Sequence, residues 1–387
     1  MKSYKRFLLL PICCASLLFA AGCNDKTHSI YTNIVDDGYK IIDKSYKLAE
    51  KIDGLQLSDN TYEQVDTSNY TFKAYSYFAM TATAELVVYS DFSTADKVQE
   101  FNNLSTAVMK TLYEVEKSLS STVTGSDVYN FNSAQAGEEL EINKITYEVL
   151  SEAKAVYALT EGYYNPALYY NVQAYGFGGA EDYVYGTLPS DSAIEKYTDL
   201  ATRFGEVELR EEEGRYFVTK PEYTVEVEGE ILSMKLDLGG IGKGYAVDCV
   251  DALLDEYGYN FGYFNFGTSS MLVKNNITGN GSFRLGLSSP RSPSREPYLS
   301  TTVRCEKLST SGDNEKRFFI DGVRYCHIID PTTGKPIQTG IMSATVIGGG
   351  AAEDDALTTA IMCMGKDKAI KFIEEKLTDR RVVFIVE

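Results

Sequence analysis

Tryptophan and histidine are the scarcest side chains in this sequence of 387 residues, which has no Trp and only two His. Zinc sites built from several imidazoles, such as the HExxH helix, are therefore excluded. His28 lies close to the N-terminus, which leaves His327 as the one imidazole in the body of the chain. Because the ordinary pKa of histidine suits proton transfer near neutral pH, His327 is a candidate acid–base group. A purely structural strand histidine is the alternative.

Positive charge is also scarce. Lys and Arg number 37 against 55 Asp and Glu, which gives a formal net charge of −18. Since nucleic-acid binding requires a cationic face, we expect no nucleic acid as a partner. The sequence has no GxSxG segment, which disfavours a serine hydrolase. Hydrophobic residues at 44% and charged residues at 24% are ordinary for a folded globular chain.

The N-terminus resembles a bacterial export signal. A positively charged start precedes an apolar run over residues 7–21, which is too short for a stable membrane span. The residues AAGC that end at Cys23 resemble a lipoprotein cleavage box, in which the cysteine receives the lipid. We predict a signal peptide over 1–22, a tether over 23–69, and an exported protein anchored to a bacterial membrane by lipid on Cys23. A simple secretory signal cut near Gly22 is the alternative.

Residues 70–387 are predicted to form one folded domain of the α+β class. Strand-like runs cluster, and helical patterns are interspersed without strict alternation, which favours mixed or antiparallel strands over a doubly wound sheet. The pair Asp321-Gly322 between two strand-like runs predicts a tight hairpin. The predicted helices cover about 98–119, 142–159, 244–257 and 353–364, and a further helix and a strand close the chain.

A glycine-rich segment, DLGGIGKGYAVD at 237–248, lies between a predicted strand and a predicted helix. Glycines allow a ligand to approach the backbone, and free N–H groups at the start of a helix attract phosphate. Lys243 adds a positive charge. The segment is not a Rossmann fingerprint, because Tyr245 stands at a glycine position, and not a Walker loop, because Gly244 replaces Ser or Thr. A tight structural turn is the alternative.

An acidic segment, AEDDALTTA at 352–360, falls in the fourth predicted helix. Asp355 and Thr359 are four residues apart, so they share one face of that helix. A carboxylate and a hydroxyl are hard oxygen ligands of the kind that Mg²⁺ binds. The alternative is an acidic first turn that complements the helix dipole.

Two further segments carry side chains suited to a site. His327 is followed by an Asp330-Pro331 turn, which places it at the end of a strand. The run EGYYNPA at 161–167 ends a predicted helix, and its tyrosines and Asn165 are suited to stack on a planar ring and hydrogen-bond it. A helix stop followed by a turn explains the same run without a ligand.

Taken in order, these segments resemble the ApbE family of FAD:protein FMN transferases. The matching pieces extend from about residue 80 to residue 365, and they are ELVVYS, SLSSTVTGSDVYNFN, GYYNPA, DLGGIGKGYAVD, FNFGTSSM, STSGD, HIIDPTTGKP and DDALTTAIMCMG. The resemblance implies an ApbE-like α+β fold with an FAD site in a cleft. It also implies a Mg²⁺-dependent reaction in which FAD donates FMN to a Thr or Ser hydroxyl of a partner protein and AMP leaves.

The resemblance assigns roles to individual residues. It implies that Mg²⁺ is held by the backbone carbonyl of Gly242 and by the side chains of Asp355 and Thr359. The active-site histidine of the family corresponds to His327, and Asp355 is the second catalytic residue that the resemblance implies. The implied FAD contacts are Met80, Asn165, Lys243 and Tyr245.

The sequence departs from the family pattern at three single positions, and also at Met80-Thr81-Ala82, where the family has Met-Gly-Thr or Met-Asp-Thr. Asn165 stands where family members commonly have Asp, Gly242 where they usually have Ala, and Thr268 where they often have the second glycine of a pair. We predict a transferase whose acceptor is another exported protein. Two alternatives are an FAD pyrophosphatase, which hydrolyses FAD to FMN and AMP, and a non-catalytic, lipid-anchored flavin-binding protein.

Overall fold

The computed structural model describes residues 29–32, 66–178, 188–267, 269–278, 280–291 and 297–387. The predicted signal peptide and its Cys23 lie outside these residues, as does Thr268. Within the predicted tether, Ser29–Thr32 forms a strand that pairs with the last strand of the chain. No helix in the described ranges is both long enough and apolar enough to cross a membrane.

Antiparallel strands form the framework of the structure. In chain order, the strands of the described residues are β1 (Ser29–Thr32), β2 (Thr71–Ala79), β3 (Ala82–Ser90), β4 (Glu139–Ile142), β5 (Glu208–Glu212), β6 (Arg215–Thr219), β7 (Thr224–Val227), β8 (Glu230–Ser233), β9 (Gly262–Phe266), β10 (Ser270–Val273), β11 (Phe283–Ser288), β12 (Pro297–Val303), β13 (Glu306–Gly312), β14 (Arg317–Ile320), β15 (Val323–Cys326), β16 (Ile329–Asp330), β17 (Lys335–Pro336), β18 (Ile341–Ile347) and β19 (Arg381–Val386). Eight of them form one sheet in the order β1-β19-β18-β13-β10-β9-β3-β2. Every neighbouring pair in this sheet is antiparallel, so the predicted α+β class with antiparallel strands is confirmed.

Five of the eight described helices correspond to predicted ones and differ from them mainly at their starts, whereas the second, fourth and fifth helices in chain order are absent from the prediction. In chain order the eight helices are α1 (Ala95–Leu119), α2 (Asp127–Ser133), α3 (Lys144–Leu159), α4 (Tyr169–Ala174), α5 (Asp191–Thr202), α6 (Gly242–Glu256), α7 (Ala351–Met364) and α8 (Lys366–Lys376). The expectation that Ile142 lies in a helix is wrong, because it belongs to β4. Asn143 instead caps α3, since its Oδ1 accepts from the Thr146 backbone N–H at 2.9 Å.

Helices cover one face of the large sheet, and a hairpin covers part of the other. Helix α7 packs against β13, β18, α3 and α6, and it is therefore buried along nearly its whole length. On the opposite face, Phe283 of β11 and Val303 of β12 pack against Val87, Tyr263 and Val273. Successive strand side chains point to opposite faces, which explains how the sheet contributes to two apolar clusters.

Several hairpin turns in the described structure have left-handed backbone, including the turn between β14 and β15 and the turn between β2 and β3. The hairpin predicted at Asp321-Gly322 is confirmed, with φ of +50° and +80°. The turn between β2 and β3 has the same character, although Met80 and Thr81, with φ of +46° and +60°, are not glycines. Such a conformation costs roughly 1–3 kcal/mol at each non-glycine residue. The nine-pair ladder between β2 and β3 holds this turn in place.

Candidate active site

The glycine-rich segment forms the turn that starts α6. The Asp237 backbone N–H donates to Pro166 O at 2.8 Å, which joins this turn to the GYYNPA segment. Just upstream, Asn132 exchanges two hydrogen bonds with the backbone of Leu236, at 2.7 and 2.9 Å. Ile241, the residue before the helix, has no capping side chain. Gly242 N donates to Leu238 O at 2.9 Å and Tyr245 N to Ile241 O at 3.0 Å, so the N–H groups of Lys243 and Gly244 are the ones in this turn that need acceptors from elsewhere.

Asp355 on α7 supplies one of these acceptors. Its Oδ2 accepts from Gly244 N at 3.1 Å, across 111 positions of sequence. Its Oδ1 lies 3.5 Å from the hydroxyl of Ser269, and the residue is only 2% exposed. Burial raises the pKa of Asp355, and the nearby Lys243 ammonium opposes that rise. A buried carboxylate with so few protein partners is a favourable ligand for a cation.

Thr359 lies one helical turn after Asp355, on the same face of α7. Its Oγ1 is 3.4 Å from the hydroxyl oxygen of Ser311 on β13. A methyl group at Gly240 would lie 3.5 Å from that Oγ1, so the hydroxyl faces the glycine turn. The predicted metal-binding side chains of Asp355 and Thr359 are therefore brought to the start of α6, where Gly242 lies.

Gly244 and Asp248 hold the starts of α6 and α7 together. A Cβ at Gly244 would lie 2.1 Å from Ala351 O and 2.8 Å from Ala352 Cα, so only glycine permits this approach. One turn later, the Asp248 carboxylate accepts from the backbone N–H groups of Ala351 and Ala352 at 3.0 and 2.9 Å. Asp248 thus caps α7, whose own cap position is Gly350 and has no side chain.

His327 directly follows β15 and is partly buried. Its backbone N–H donates to Lys316 O at 3.0 Å, and its Nδ1 has no hydrogen-bond partner among the described residues. Burial lowers the pKa of His327 to about 4, and the charges of Lys316 and Lys243 act in the same direction. The imidazole is therefore neutral at pH 7, which is the form that accepts a proton. A bound anion would raise this pKa and strengthen the base.

Lys243 lies among the charged groups of the site. Its Nζ donates to Gly239 O at 3.3 Å, and its charge acts on His327, Asp355 and Glu315. Glu315 has no role in the sequence-based prediction, although it stands two residues after the STSGD segment. An acidic residue two positions after a segment of the resemblance is the signal that could have identified it.

The β9–β10 turn lies between Asp355 and the hairpin of β2 and β3, whose turn carries Met80. A Cβ at Gly267, in the turn between β9 and β10, would lie 2.8 Å from Ala82 Cβ. Ser269 in the same turn is the residue whose hydroxyl approaches Asp355. Met80 itself is partly buried against the main core. The β9–β10 turn therefore contacts both Asp355 and the start of β3, which directly follows the turn that carries Met80.

Both polar atoms of the Asn165 side chain form hydrogen bonds with nearby backbone. Its Oδ1 accepts from Ala167 N at 2.9 Å, and its Nδ2 donates to Ala201 O at 2.9 Å. Both contacts stabilise the loop that joins α3 to α4. The Asn165 amide therefore stabilises the backbone, a role that could not be predicted from the residue type alone.

Tyr245 faces a different cleft. Its hydroxyl donates to Glu148 Oε2 at 2.5 Å, and burial raises its pKa. The cleft has a volume of about 340 Å³ and lies between α3, α6 and the start of α7. The structure therefore brings Lys243 to Asp355 and His327, and it directs the neighbouring Tyr245 side chain away from them.

The predicted cation site has an unusual composition for a metal centre. Within the described ranges, no group of three or more His, Cys, Asp or Glu side chains could hold a metal ion. The set of Gly242 carbonyl, Asp355 and Thr359 contains only one carboxylate. Mg²⁺ is nevertheless bound in many phosphate sites by one or two carboxylates, with waters and phosphate oxygens as its other ligands.

Fold and site together define an α+β protein whose candidate reactive groups surround the glycine-rich start of a helix. The chain belongs to the ApbE family, which its residues 80–384 match. This confirms the resemblance inferred from the sequence segments. The matched range contains all of the predicted catalytic, metal-binding and FAD-binding positions.

Several known proteins are similar to this chain. The FAD:protein FMN transferase of Vibrio cholerae is 28% identical over 282 residues, which cover 72% of this chain and 78% of that protein. The FAD:protein FMN transferase of Treponema pallidum is 28% identical over 279 residues, which cover 69% and 73%. The solved structure of the flavin transferase ApbE from Vibrio cholerae matches with a TM-score of 0.66 at 26% identity, over 82% of this chain and 94% of that one. The ApbE protein of Thermotoga maritima matches with a TM-score of 0.67 at 25% identity, over 81% and 94%.

Proposed function

We propose that the protein is a Mg²⁺-dependent FAD:protein FMN transferase that moves FMN from FAD to a Thr or Ser hydroxyl of an exported acceptor protein and releases AMP. The names of its relatives support the transfer of FMN. The observation that carries the proposal is the contact of Asp355 Oδ2 with Gly244 N. It joins an acidic cation ligand to a helix start that suits phosphate.

The residues present fit a divalent cation. The carbonyl of Gly242, the carboxylate of Asp355 and the hydroxyl of Thr359 are all hard oxygen donors, and they would hold Mg²⁺. Two buried polar atoms of this region, His327 Nδ1 and Tyr164 Oη, have no partner in the described part of the chain. Buried polar groups are almost always hydrogen-bonded, so such atoms suit a cleft that receives a polar ligand. Bound Mg²⁺ would neutralise negative charge on the diphosphate of FAD.

The start of α6 and Lys243 would bind the diphosphate. Backbone N–H groups and the positive end of the helix dipole attract phosphate, and Lys243 adds a full positive charge. Asp355 would repel the same diphosphate if no cation lay between them. This opposition between a buried carboxylate and an anionic substrate is the physical basis for the proposed metal dependence.

His327 would take the proton of the acceptor hydroxyl. A bond forms between the acceptor oxygen and the phosphorus of FMN, the bond from that phosphorus to AMP breaks, and the hydroxyl proton passes to the imidazole. Because the lowered pKa keeps His327 neutral at pH 7, its imidazole is free to accept this proton. General-base assistance of this kind is typically worth about 10²–10⁴ in rate.

Mass spectrometry of a candidate acceptor tests the proposal. The acceptor is incubated with this protein, FAD and Mg²⁺, and we expect an addition of the mass of FMN on a Thr or Ser, together with AMP. Protein carrying Asp355→Asn and reactions with EDTA are the controls, and neither should give the product. Free FMN and AMP without acceptor would indicate an FAD pyrophosphatase instead. FAD retention without any product would indicate a flavin-binding protein.

We also propose that the mature protein is exported and held at a bacterial membrane by lipid on Cys23. The support is the sequence of the first 23 residues, with its charged start, apolar run and final cysteine. The acidic body would be repelled by anionic lipid, so the acyl chains would provide the attachment.

A further inference from the structure

Tyr164 places a buried hydroxyl next to the candidate active site. The residue belongs to the GYYNPA segment and is 3% exposed. Its backbone N–H donates to Thr160 Oγ1 at 3.1 Å, but its Oη has no hydrogen-bond partner among the described residues. A buried hydroxyl without a partner lowers the stability of the fold. A ligand that supplied the missing partner would remove this penalty.

The Tyr164 ring borders the small space in front of Thr359. A methyl group at Gly240 would lie 3.7 Å from Tyr164 Cε2 and 3.5 Å from Thr359 Oγ1. The carboxylates of Asp355 and Asp237 both act on the Tyr164 hydroxyl. The hydrogen bond from Asp237 N to Pro166 O fixes the tyrosine segment against the glycine turn. The hydroxyl is therefore close to the oxygen donors of the proposed cation site.

We propose that the Tyr164 hydroxyl is a positioning group that hydrogen-bonds an oxygen ligand of the cation held by Gly242, Asp355 and Thr359. This inference rests on the proposed function. The oxygen has two possible sources: a water on the cation, from which the hydroxyl accepts, or a phosphate oxygen of FAD, to which it donates. Tyrosine can do either, since a phenol both donates and accepts.

The change Tyr164→Phe tests this inference, and Tyr259→Phe is a matched control. Tyr259 Oη is also buried without a partner in the described part of the chain. It follows the C-terminal end of α6, a helix of 15 residues, and so lies about 20 Å from the N-terminal end that holds the site. Both variants should melt at the same temperature as the wild type or higher when no ligand is present.

Ligand binding should separate the two variants. Affinities for Mg²⁺ alone and for FAD with Mg²⁺ are measured by calorimetry and by the shift in Tm. We expect Tyr164→Phe to bind about tenfold more weakly, as is typical when a group that orients a metal ligand is removed, and Tyr259→Phe to bind like the wild type. A loss with Mg²⁺ alone identifies a bound water as the partner, and a loss only with FAD identifies a phosphate oxygen.

Three results would overturn the inference. Equal affinities for Tyr164→Phe and Tyr259→Phe would show that the hydroxyl has no role toward the cation. A lower Tm of Tyr164→Phe without ligand would show that the hydroxyl already has a partner within the protein. If the wild type binds neither Mg²⁺ nor FAD, the inference and the proposed function fail together, whereas the first two results leave the proposed function intact.

Discussion

Asp248 and Asp355 each cap the helix on which the other lies. Asp248 on α6 accepts from the first two backbone N–H groups of α7, at 3.0 and 2.9 Å. Asp355 on α7 accepts from Gly244 N in the first turn of α6, at 3.1 Å. Neither helix has a capping side chain of its own. The pair fixes the two helix starts relative to each other, and the candidate site lies between them.

The change Asp248→Asn should weaken both the fold and the site. The amide keeps one acceptor for the start of α7, but it loses the negative charge and turns an N–H₂ group toward backbone donors. We expect a loss of roughly 1–2 kcal/mol in the free energy of unfolding. Because α7 carries Asp355, the affinity for Mg²⁺ should fall as well. Urea denaturation and calorimetry measure the two effects.

Asp251→Asn is the control for Asp248→Asn. Asp251 lies on the same helix and pairs with Lys307, as Asp248 does, at 3.1 Å against 2.7 Å. It also pairs with Lys274, but the described structure gives it no contact with α7 N–H groups. Its replacement should therefore spare Mg²⁺ affinity. Equal losses of affinity in both variants would mean that ion pairing, and not the cap, positions α7.

Gly244→Ala should force α6 and α7 apart. The new Cβ would lie 2.1 Å from Ala351 O and 2.5 Å from Ala351 C, and these backbone atoms cannot rotate away as a side chain can. Overpacking of this kind costs about 1–3 kcal/mol. The nearby Gly242→Ala is the control, because its Cβ would meet only the end of Leu119, at 3.3 Å. Urea denaturation should show a loss for position 244 and little change for position 242; comparable losses would contradict the close approach.

Asp355→Asn should separate stability from function. Burial raises the pKa of Asp355, which means that its charge is costly in the fold. Asparagine can still accept from Gly244 N through its oxygen, so the protein without ligands should melt at or above the wild-type temperature. The shift in Tm that Mg²⁺ produces should disappear, and FMN transfer should be lost.

Asp354→Asn provides the comparison from the adjacent position. Burial raises the pKa of Asp354 to about 7, and its carboxylate contacts Arg380 and Gly349 N, not the start of α6. This variant should keep its response to Mg²⁺. A normal Mg²⁺ response in Asp355→Asn, or its loss in Asp354→Asn, would show that the cation lies elsewhere.

Five of the eight described helices and the Asp321-Gly322 hairpin could be predicted because their signals are local; α2, α4 and α5 were not predicted. Apolar spacing and turn residues act over a few positions, and the structure follows them to within two residues at the starts of α6 and α7. The start of α3 was missed because Asn143 caps the helix after Ile142 has paired in β4. The apolar Ile142 at the end of β4 has the same spacing as the apolar residues of α3, so the sequence pattern assigns it to the helix.

The convergence of the site could be anticipated only through the family resemblance. Asp355 and Gly244 are 111 positions apart, and nothing in their local patterns requires them to meet. The partners of Asn165 and Tyr245 were equally hidden, because they come from α5 and α3, far away in sequence. The capping of α7 by Asp248 could not be predicted locally either. Asp248 lies in the middle of α6, about a hundred positions before the N–H groups that it accepts from.

Replacement of Cys23 should release the protein from membranes. If lipid on Cys23 is the anchor, the wild type should partition into a detergent phase, and Cys23→Ala should partition into the aqueous phase. Cys305→Ala is the control, because Cys305 is a free, exposed cysteine of the folded domain. An aqueous wild type would favour a secretory signal without a lipid anchor, and a Cys23→Ala variant that stays with detergent would point to another means of attachment.

His327→Gln should slow FMN transfer without weakening FAD binding. Glutamine approximates the size of histidine but cannot take the acceptor proton, so we expect kcat to fall by about 10²–10⁴. The Kd for FAD, measured by flavin fluorescence, should stay close to that of the wild type. An unchanged kcat would show that another group is the base, and a large rise in the Kd would show that His327 binds FAD.

The same variant should change how stability depends on pH. The pKa of His327 is about 4 in the fold and 6.5 ordinarily, so the unfolded chain binds the proton more strongly between these values. Its contribution to the free energy of unfolding is therefore present above pH 6.5 and is lost as the pH falls toward 4. We expect His327→Gln to lose about 2 kcal/mol less than the wild type over this range, since a partly exposed group realises less than the full shift. His28 is present in both proteins, so it cancels in the comparison. Parallel stability curves from pH 7 to pH 4 would mean that the imidazole is solvated in the fold and that burial does not lower its pKa.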